Sequence, residues 1–550
     1  MRCYLENWGG YSWTRNRRGA FRGYFQFADN SEGAVYRGER ALNLMSDIRT
    51  LPELTRFLKN ADGIFSLILT PDGEENGIVL FAVDRARSMP LYYDAEGTVL
   101  SDSGEQVRQA LKIETGDISV AQGIEMSVSR YVSGEQTIYK RVRQLNGGMA
   151  GCFSEGGVQT ETYYFHTATC RTGDVSEYKR RLSEASESVF RRLRKIVDGR
   201  PVILSLSGGY DSRFIACMLK RYGFQDVSCY SYGKRDSFEA AQSKKNADAL
   251  GYRWAFVEYT DERIRDILSE ENSPYFAYRN AHDYTIYLQN YPAVKYLNAS
   301  GWFKPDSVFI TGLCGDMPTG QYILPPDKME DSMYCADACA EYLYGLEYGS
   351  RAVAAPYAKQ LLQKIRRRIE SLPFTVGDYQ TFWQAADCIY TLDVHSRAFL
   401  HMNDAHEFFG YQWLLPYWDA ELLNAWYGIP AQLRAGQKLY RDWLLNDVCK
   451  PYGLDTPKTI AQYSRSPALN RMIRSAGSVV AKGMLWTGLP LRRSVDINNF
   501  ATLEIPLFRR LRYRGKIDYR HASFIQLLNR YVMESRYGVG AMREICRFLK

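Results

Sequence analysis

The stretch whose reading decides the fold is PVILSLSGGYDSRFIACMLKRYG, Pro201 to Gly223. An apolar run of strand length breaks at Ser207-Gly208-Gly209, passes through Asp211 and Ser212, and continues at once with apolar residues at helical spacing. Gly208 and Gly209 predict a sharp turn and a close approach of backbone to ligand, and the helix behind them points unpaired N–H groups back at the turn. The partial positive charge of a helix start, with the donors of Ser207 and Ser212, suits a pyrophosphate group. The lysine of a GxxxxGK[ST] loop is absent. Asp211 would repel phosphate by itself and makes sense there as a magnesium ligand bridging to phosphate oxygens. A plain strand-to-helix turn with a capping residue is the competing reading of Ser-Gly-Gly.

Working outward, VSCYSYG reads as a second strand, SFEAAQSKKNADALG as a second helix and WAFVEY as a third strand. Such alternation predicts a parallel sheet with crossover helices. Upstream, EYKRRLSEASESVFRRLRKIVDG places Leu182, Val189, Phe190, Leu193 and Ile196 at helical spacing and stops at Gly199. From Gly19 to about Phe165 the texture is different: GIFSLIL, GIVLFAV, PLYYD, GMAGCFS and TETYYF are short strand-like segments between Gly and Asp-Gly turns. The polar stretch HTATCRTGDVSEY separates the two halves. The expected organisation is a β-rich unit over residues 1–172, an α/β unit over 173–470 and a basic extension over 471–550.

The chain has 550 residues, 45% hydrophobic and 24% charged, which is the composition of ordinary globular protein. No window approaches the length of apolar run that spans a membrane, and MRCYLENWGG lacks the apolar core of a signal peptide, so a cytoplasmic protein with no membrane partner is expected. Eleven cysteines without CxxC pairs fit reduced thiols better than disulfides or zinc. The net charge of +8 owes much to LFRRLRYRGKIDYRH near the end, read as a solvated basic face, and nucleic acid is not an expected partner.

Ser207-Gly208-Gly209-Tyr210-Asp211-Ser212 resembles the SGGxDS pyrophosphate loop of asparagine synthetase-type PP-loop ATP pyrophosphatases. Further stretches follow in that family's order. YSYG, Tyr230 to Gly233, stands where the family's second strand meets adenosine, with Tyr232 offering its backbone. FITGLCGDMPTGQY, Phe309 to Tyr322, is similar to the second pyrophosphate loop, placing Thr311 and Gly312 on its Ser-Gly and Asp316 on its Asp. HEFFGYQWLLPYWDAELLNAWYGIPAQLRAGQKLYR looks like the segment that ends in a K…R helix, with Pro416 and Asp419 in frame. In the first half, DGIFSLIL and DRARSMPLYYD resemble strands of the family's N-terminal amidotransferase domain. The resemblance implies an α/β fold: an Ntn-amidotransferase-like β-rich sandwich, then a PP-loop domain with a parallel sheet flanked by helices, then a helical C-terminal region.

It also implies chemistry. A carboxylate is activated by attack on the α-phosphate of ATP, pyrophosphate leaves, and ammonia or an amine takes the acyl group. The implied magnesium ligands are Asp211 and Asp316, and the implied nucleotide contacts are Ser207, Gly208, Gly209, Asp211, Ser212, Tyr232, Thr311, Gly312 and Asp316. The family's catalytic lysine falls at Arg465, with Lys458 as the other candidate. Gln412 stands where the family has a proton-accepting Glu, and an amide is no general base; Glu407 is a substitute carboxylate, or a solvated helix-face acid. Glutamine-using members begin Met-Cys-Gly, whereas this chain begins Met1-Arg2-Cys3, which puts glutaminase activity in doubt. His401, Asp404 and His406 are spaced poorly for one metal site. The Tyr-rich stretch SPYFAYRNAHDYTIYLQNYPAVKY neighbours the acceptor pocket or simply packs. Three readings stay open: an amide-forming ligase with a small-molecule or peptide carboxylate and an amine or ammonia donor; an intramolecular ring-amide former like β-lactam synthetases and lasso-peptide cyclases; and a non-catalytic nucleotide-binding homologue. A homodimer is compatible with each.

Overall fold

The computed structural model describes residues 2–6, 9–27, 34–71, 77–154, 156–167, 170–270, 274–278, 282–348, 355–457, 478–488, 496–515 and 524–549. Strands alternate in type along the chain much as their residues dictate. Among the described residues eleven strands precede residue 163: β1 (Arg2–Tyr4), β2 (Trp13–Asn16), β3 (Gly19–Phe27), β4 (Tyr36–Arg37), β5 (Ala61–Leu69), β6 (Val79–Val83), β7 (Tyr92–Asp94), β8 (Val99–Ser101), β9 (Val142–Gln144), β10 (Met149–Ser154) and β11 (Gly157–Thr162). They form a four-stranded sheet, order β1-β8-β7-β9, and a seven-stranded sheet, order β11-β10-β6-β5-β3-β2 with β4 on β3. Phe81, Val83, Leu91, Tyr93, Leu100 and Phe153 form one buried cluster drawn from both sheets. Phe21, Phe25, Leu42, Leu54, Leu58 and Phe65 form another, which joins the larger sheet to the helices Gly38–Leu44 and Leu51–Leu58. Opposite faces of β3 and β5 are therefore both buried, and β3 buries Arg22 and Gln26 among its apolar residues.

The second half is built on a five-stranded, wholly parallel sheet: β12 (Val202–Ser205), β13 (Val227–Gly233), β14 (Arg253–Glu258), β15 (Val308–Ile310) and β16 (Gln412–Leu414), in the order β14-β13-β12-β15-β16. Parallel strands need crossovers, and the long amphipathic helix Val175–Val197 and the helices Tyr210–Arg221 and Phe238–Leu250 supply buried faces for them. The chain runs from β12 outward to β14 on one side, then returns to lay β15 and β16 on the other. Strand order thus reverses between β12 and β15, and a crevice opens beyond the carboxyl ends of those two strands.

Described residues beyond 470 pack on both halves. Helix Phe524–Cys546 packs on helix Val120–Ser129, where a Cβ at Gly123 would stand 2.5 Å from Ile545 Cδ1 and Asn529 Nδ2 donates to the carbonyls of Met126 and Ser127 at 2.9 Å. The segment around Ile497–Phe500 docks at the carboxyl ends of β13 and β14: Lys234 N–H donates to Ile497 O at 2.8 Å, and Gly233, at φ +126°, leaves room for that carbonyl. Among the described residues no helix is long and apolar enough to cross a membrane.

Candidate functional site

Two loops meet at the crevice. In the first, after β12, the Ser207 N–H donates to Ser212 Oγ at 3.1 Å, the two hydroxyls lie 3.0 Å apart, and the Gly209 N–H donates to Ser207 Oγ at 3.0 Å. Gly209 caps helix Tyr210–Arg221 in extended backbone, and neither Gly208 nor Gly209 has a positive φ. They turn the chain without left-handed backbone, and what their missing side chains provide is closeness. A Cβ at Gly208 would stand 3.1 Å from Glu239 Oε2 and 3.2 Å from Gln242 Cβ. The Gly208 N–H donates to the Glu239 carboxylate, so one amide of the loop already holds an anionic oxygen.

The second loop, after β15, rests on the first. A Cβ at Gly312 would stand 2.9 Å from both the carbonyl carbon of Asp211 and the amide nitrogen of Ser212, and one at Gly315 would stand 2.6 Å from Asp211 Cγ. Both glycines are needed for this contact, which presses the second loop onto the Asp211 side chain. Asp316 belongs to the same place: the Cys314 thiol and the Tyr322 hydroxyl are pushed up by burial and by the negative charges of both Asp316 and Asp211. Asp211 is oriented from below by Tyr440, whose hydroxyl donates to Oδ1 at 2.8 Å and lies 2.7 Å from the Tyr417 hydroxyl. Burial and the Asp211 charge hold the Tyr440 hydroxyl protonated, as a donor must be.

The loops bound a cavity of about 600 Å³ that is lined by eight of the nine residues expected at a nucleotide, Ser207, Gly209, Asp211, Ser212, Tyr232, Thr311, Gly312 and Asp316; Gly208 stands behind its wall. Its inner surface leaves Thr311 Oγ1, Asn290 Oδ1 and His406 Nδ1 buried with no hydrogen-bond partner among the described residues. Buried polar atoms carry a cost unless something satisfies them, so this wall is shaped for a polar ligand. The donors, the paired carboxylates and the cavity's size fit ATP with a hard cation. Among the described residues no group of three or more His, Cys, Asp or Glu could hold a metal, so a cation between Asp211 and Asp316 would complete its shell with phosphate and water oxygens.

Residues 184–281, from within the helix before β12 to beyond β14, match the family model for asparagine synthase. Over that segment the chain is similar to asparagine synthases. No curated protein matches it. The family is one of PP-loop, ATP-using amide ligases, and the matched segment carries the whole first loop, while the second loop lies beyond it.

Against that family pattern several expected residues stand elsewhere. Gln412 begins β16 and pairs in register with Val308, which pairs with Val202, so it lies at the amino end of the sheet, opposite both loops. Its Oε1 accepts from Arg200 Nη1 at 2.8 Å. A parallel sheet presents only its carboxyl ends to the crevice, and Gln412 is therefore not placed to touch a ligand there. Glu407 is neither solvated nor in the cavity: it is fully buried and ion-paired to Arg22 of β3. Lys458 and Arg465 lie outside the described residues; the chain approaches them beside the first loop, where Arg213 Nη1 donates to Thr456 O at 2.7 Å and Nη2 to Gly208 O at 3.3 Å. Cys3 is exposed on β1, paired in parallel with Leu100. His401 pairs with Asp404 at 3.2 Å and stacks on Tyr284 with ring centroids 3.4 Å apart, and His406 is directed elsewhere.

Other cavity residues escaped the sequence reading. Gln437 and Arg441, at the two ends of the QKLYR run, line the cavity, with Gln437 just ahead of the helix Lys438–Trp443, and Gln437 Nε2 donates to Thr319 Oγ1 of the second loop at 2.7 Å. Asn290 and Gln289 come from the Tyr-rich stretch, whose tyrosines mainly stack on one another, Tyr275 on Tyr291 at 3.9 Å. His406 arrives beneath β13 and β15: it stacks on Phe309 at 4.0 Å, Asn290 Nδ2 lies 3.4 Å from its Nε2, and burial pushes its ring down to about 3, which keeps it neutral.

Proposed function

We propose that the chain activates a carboxylate by adenylation, with release of pyrophosphate, and passes the acyl group to ammonia or to an amine. The observation that carries this reading is the contact between the two loops, which holds Asp211 and Asp316 on one cavity at the strand-order reversal. A magnesium ion bound there would neutralise charge on the triphosphate as pyrophosphate leaves. Asp211, fixed by Tyr440, and Asp316 would hold it. The Ser207 and Ser212 hydroxyls and the start of helix Tyr210–Arg221 would bind phosphate oxygens. Closure of the loop on phosphate requires the Gly208 N–H to leave Glu239, an exchange of one anionic acceptor for another. Arg441, the one cation lining this cavity among the described residues, faces the leaving pyrophosphate's charge.

The same reading treats residues 1–172 as an amidotransferase-like unit without a working glutaminase centre, 173–470 as the ATP-binding unit, and 471–550 as its C-terminal support. Placement of Gln412 at the far end of the sheet supports a nucleophile that needs no base from that position, whether free ammonia or an amine already on the substrate. Pyrophosphate release from ATP in the presence of a panel of carboxylic acids tests the proposal. The expected result is release that depends on one class of acid and falls at least about a hundredfold in Asp211→Ala. An Asp211→Ala protein as active as the parent would overturn it.

A further inference from the structure

A second cavity lies apart from the one between the loops. It measures about 880 Å³ and lies between the β7, β9, β10 and β11 edge of the first half and the helix Ala355–Glu370, with no lining residue in common with the nucleotide cavity. It is also remote in the strand order from Cys3, because β1 and β9 are opposite edges of the four-stranded sheet.

Its charges do not balance. Glu125 is satisfied by Lys364 Nζ at 2.7 Å, by the Ser133 amide and hydroxyl, and by the Tyr348 hydroxyl at 3.0 Å. Glu135 accepts from the Tyr93 hydroxyl at 2.9 Å. Arg368 is taken by the buried Asp393. Arg143 and Arg367 line the same cavity with no carboxylate within ion-pair distance among the described residues. Directly behind the wall, Arg397 is wholly buried and donates to Gly134 O at 2.7 Å and to Asn146 Oδ1, both of them wall residues. Arg397 shares Asp283, at 3.5 Å, with Arg87, at 2.7 Å, and lies 3.8 Å from Asp393, which Arg368 also holds; burial together with the Arg87 charge pushes it down to about 10. The neighbouring Glu347 carboxyl is pushed well above its usual range by burial and Asp393. Among the described residues the lining thus carries four cations, Arg143, Lys364, Arg367 and Arg368, against two carboxylates, Glu125 and Glu135.

An excess of positive charge lining a recess is stabilised by an anion that brings its own charge. Guanidinium groups on opposite walls, one from a strand and one from a helix, suit planar oxyanions gripped from two sides. We propose that this cavity binds a small polyanion carrying two or more carboxylate or phosphate groups, at a site separate from the nucleotide cavity. Tyr93, Met149 and Leu361 give it apolar surface for the ligand's carbon skeleton.

The test is calorimetry on the full chain in the presence of a chelator, with citrate as the carboxylate probe, inorganic pyrophosphate as the phosphate probe and a neutral disaccharide as control. Proteins compared are the parent, Arg367→Gln, the double variant Arg143→Gln/Arg367→Gln, and Asp211→Asn. Arg367 is exposed and Arg143 half-exposed, so these variants are expected to keep the parent's melting temperature. The expected result is binding of citrate, pyrophosphate or both, weakened about tenfold or more in the double variant and unchanged in Asp211→Asn. Equal binding by parent and double variant, loss of binding in Asp211→Asn, or no binding of either anion at millimolar concentration overturns the proposal.

Discussion

Gly315 lies so close to Asp211 that a Cβ at residue 315 would stand 2.6 Å from the Asp211 Cγ. No real side chain tolerates that separation, so one of the two must move, and the carboxylate has more freedom than the loop backbone. Gly315→Ala is expected to keep the fold and displace Asp211. Activity with the best carboxylate should fall about a hundredfold, a consequence of misplacing one catalytic group by roughly 1 Å. The melting temperature and pyrophosphate release, measured together, check it.

Tyr440 acts on the same carboxylate through its hydroxyl, 2.8 Å from Oδ1. Tyr440→Phe removes a hydrogen bond to a charged group, of the kind that contributes about 1.5–3 kcal/mol. Removing it from a ligand of a divalent ion is expected to weaken magnesium dependence about tenfold while leaving the ATP concentration dependence at saturating magnesium nearly unchanged. Steady-state titrations of magnesium and ATP separate the two effects.

The loops were legible in the sequence because each rests on a local pattern: strand, glycines, Asp and helix within a dozen residues at 201–212, and a second glycine-Asp run at 311–316. The parallel sheet was legible for the same reason. Gln412 was not, because its role depended on register. β16 is three residues long, and the side of the sheet it reaches is set by pairing with β15, which no local pattern announces. Glu407 was read as a solvated or substitute acid, since its partner Arg22 lies 385 residues away. The C-terminal segment was read as an extension, although Gly233 at φ +126° and the Ile497 carbonyl show it to be fitted to the end of β13.

Glu407 joins the two halves. Its carboxylate is paired with Arg22, which also approaches Asp102 at 3.7 Å and donates to Tyr11 O at 2.6 Å, and Gly9 and Gly10 lie against the carbonyls of Glu407 and Tyr411. Removing one member of such a buried pair leaves the other uncompensated. Glu407→Leu is expected to destabilise the protein by about 3–5 kcal/mol, and Glu407→Leu/Arg22→Leu by clearly less than the sum of the single changes. Denaturant unfolding of the four proteins measures the coupling.

Three buried rings set an acid limit. Burial pushes His166 down to about 4 and His395 and His406 down to about 3. Each has a folded value below its unfolded one, so the stability it permits is fully present above about 6.5 and is lost as pH falls from there toward the folded values. Near pH 5 unfolding should take up about three protons on account of these rings, which corresponds to roughly 4 kcal/mol lost per pH unit. Proton uptake on urea unfolding at pH 5 and at pH 7.5 checks the difference. Because His406 stays neutral, no protonation of that ring should shape the activity profile between pH 6 and 9.

The claim on which the rest depends is that Asp211 and Asp316 jointly hold a cation on the triphosphate of ATP. Isothermal titration of ATP in the presence and absence of magnesium, on the parent and on Asp211→Ala and Asp316→Ala, tests it most directly. The account predicts magnesium-dependent binding by the parent and at least tenfold weaker binding by each variant. Undiminished binding in both variants, or none in the parent with magnesium present, would contradict it.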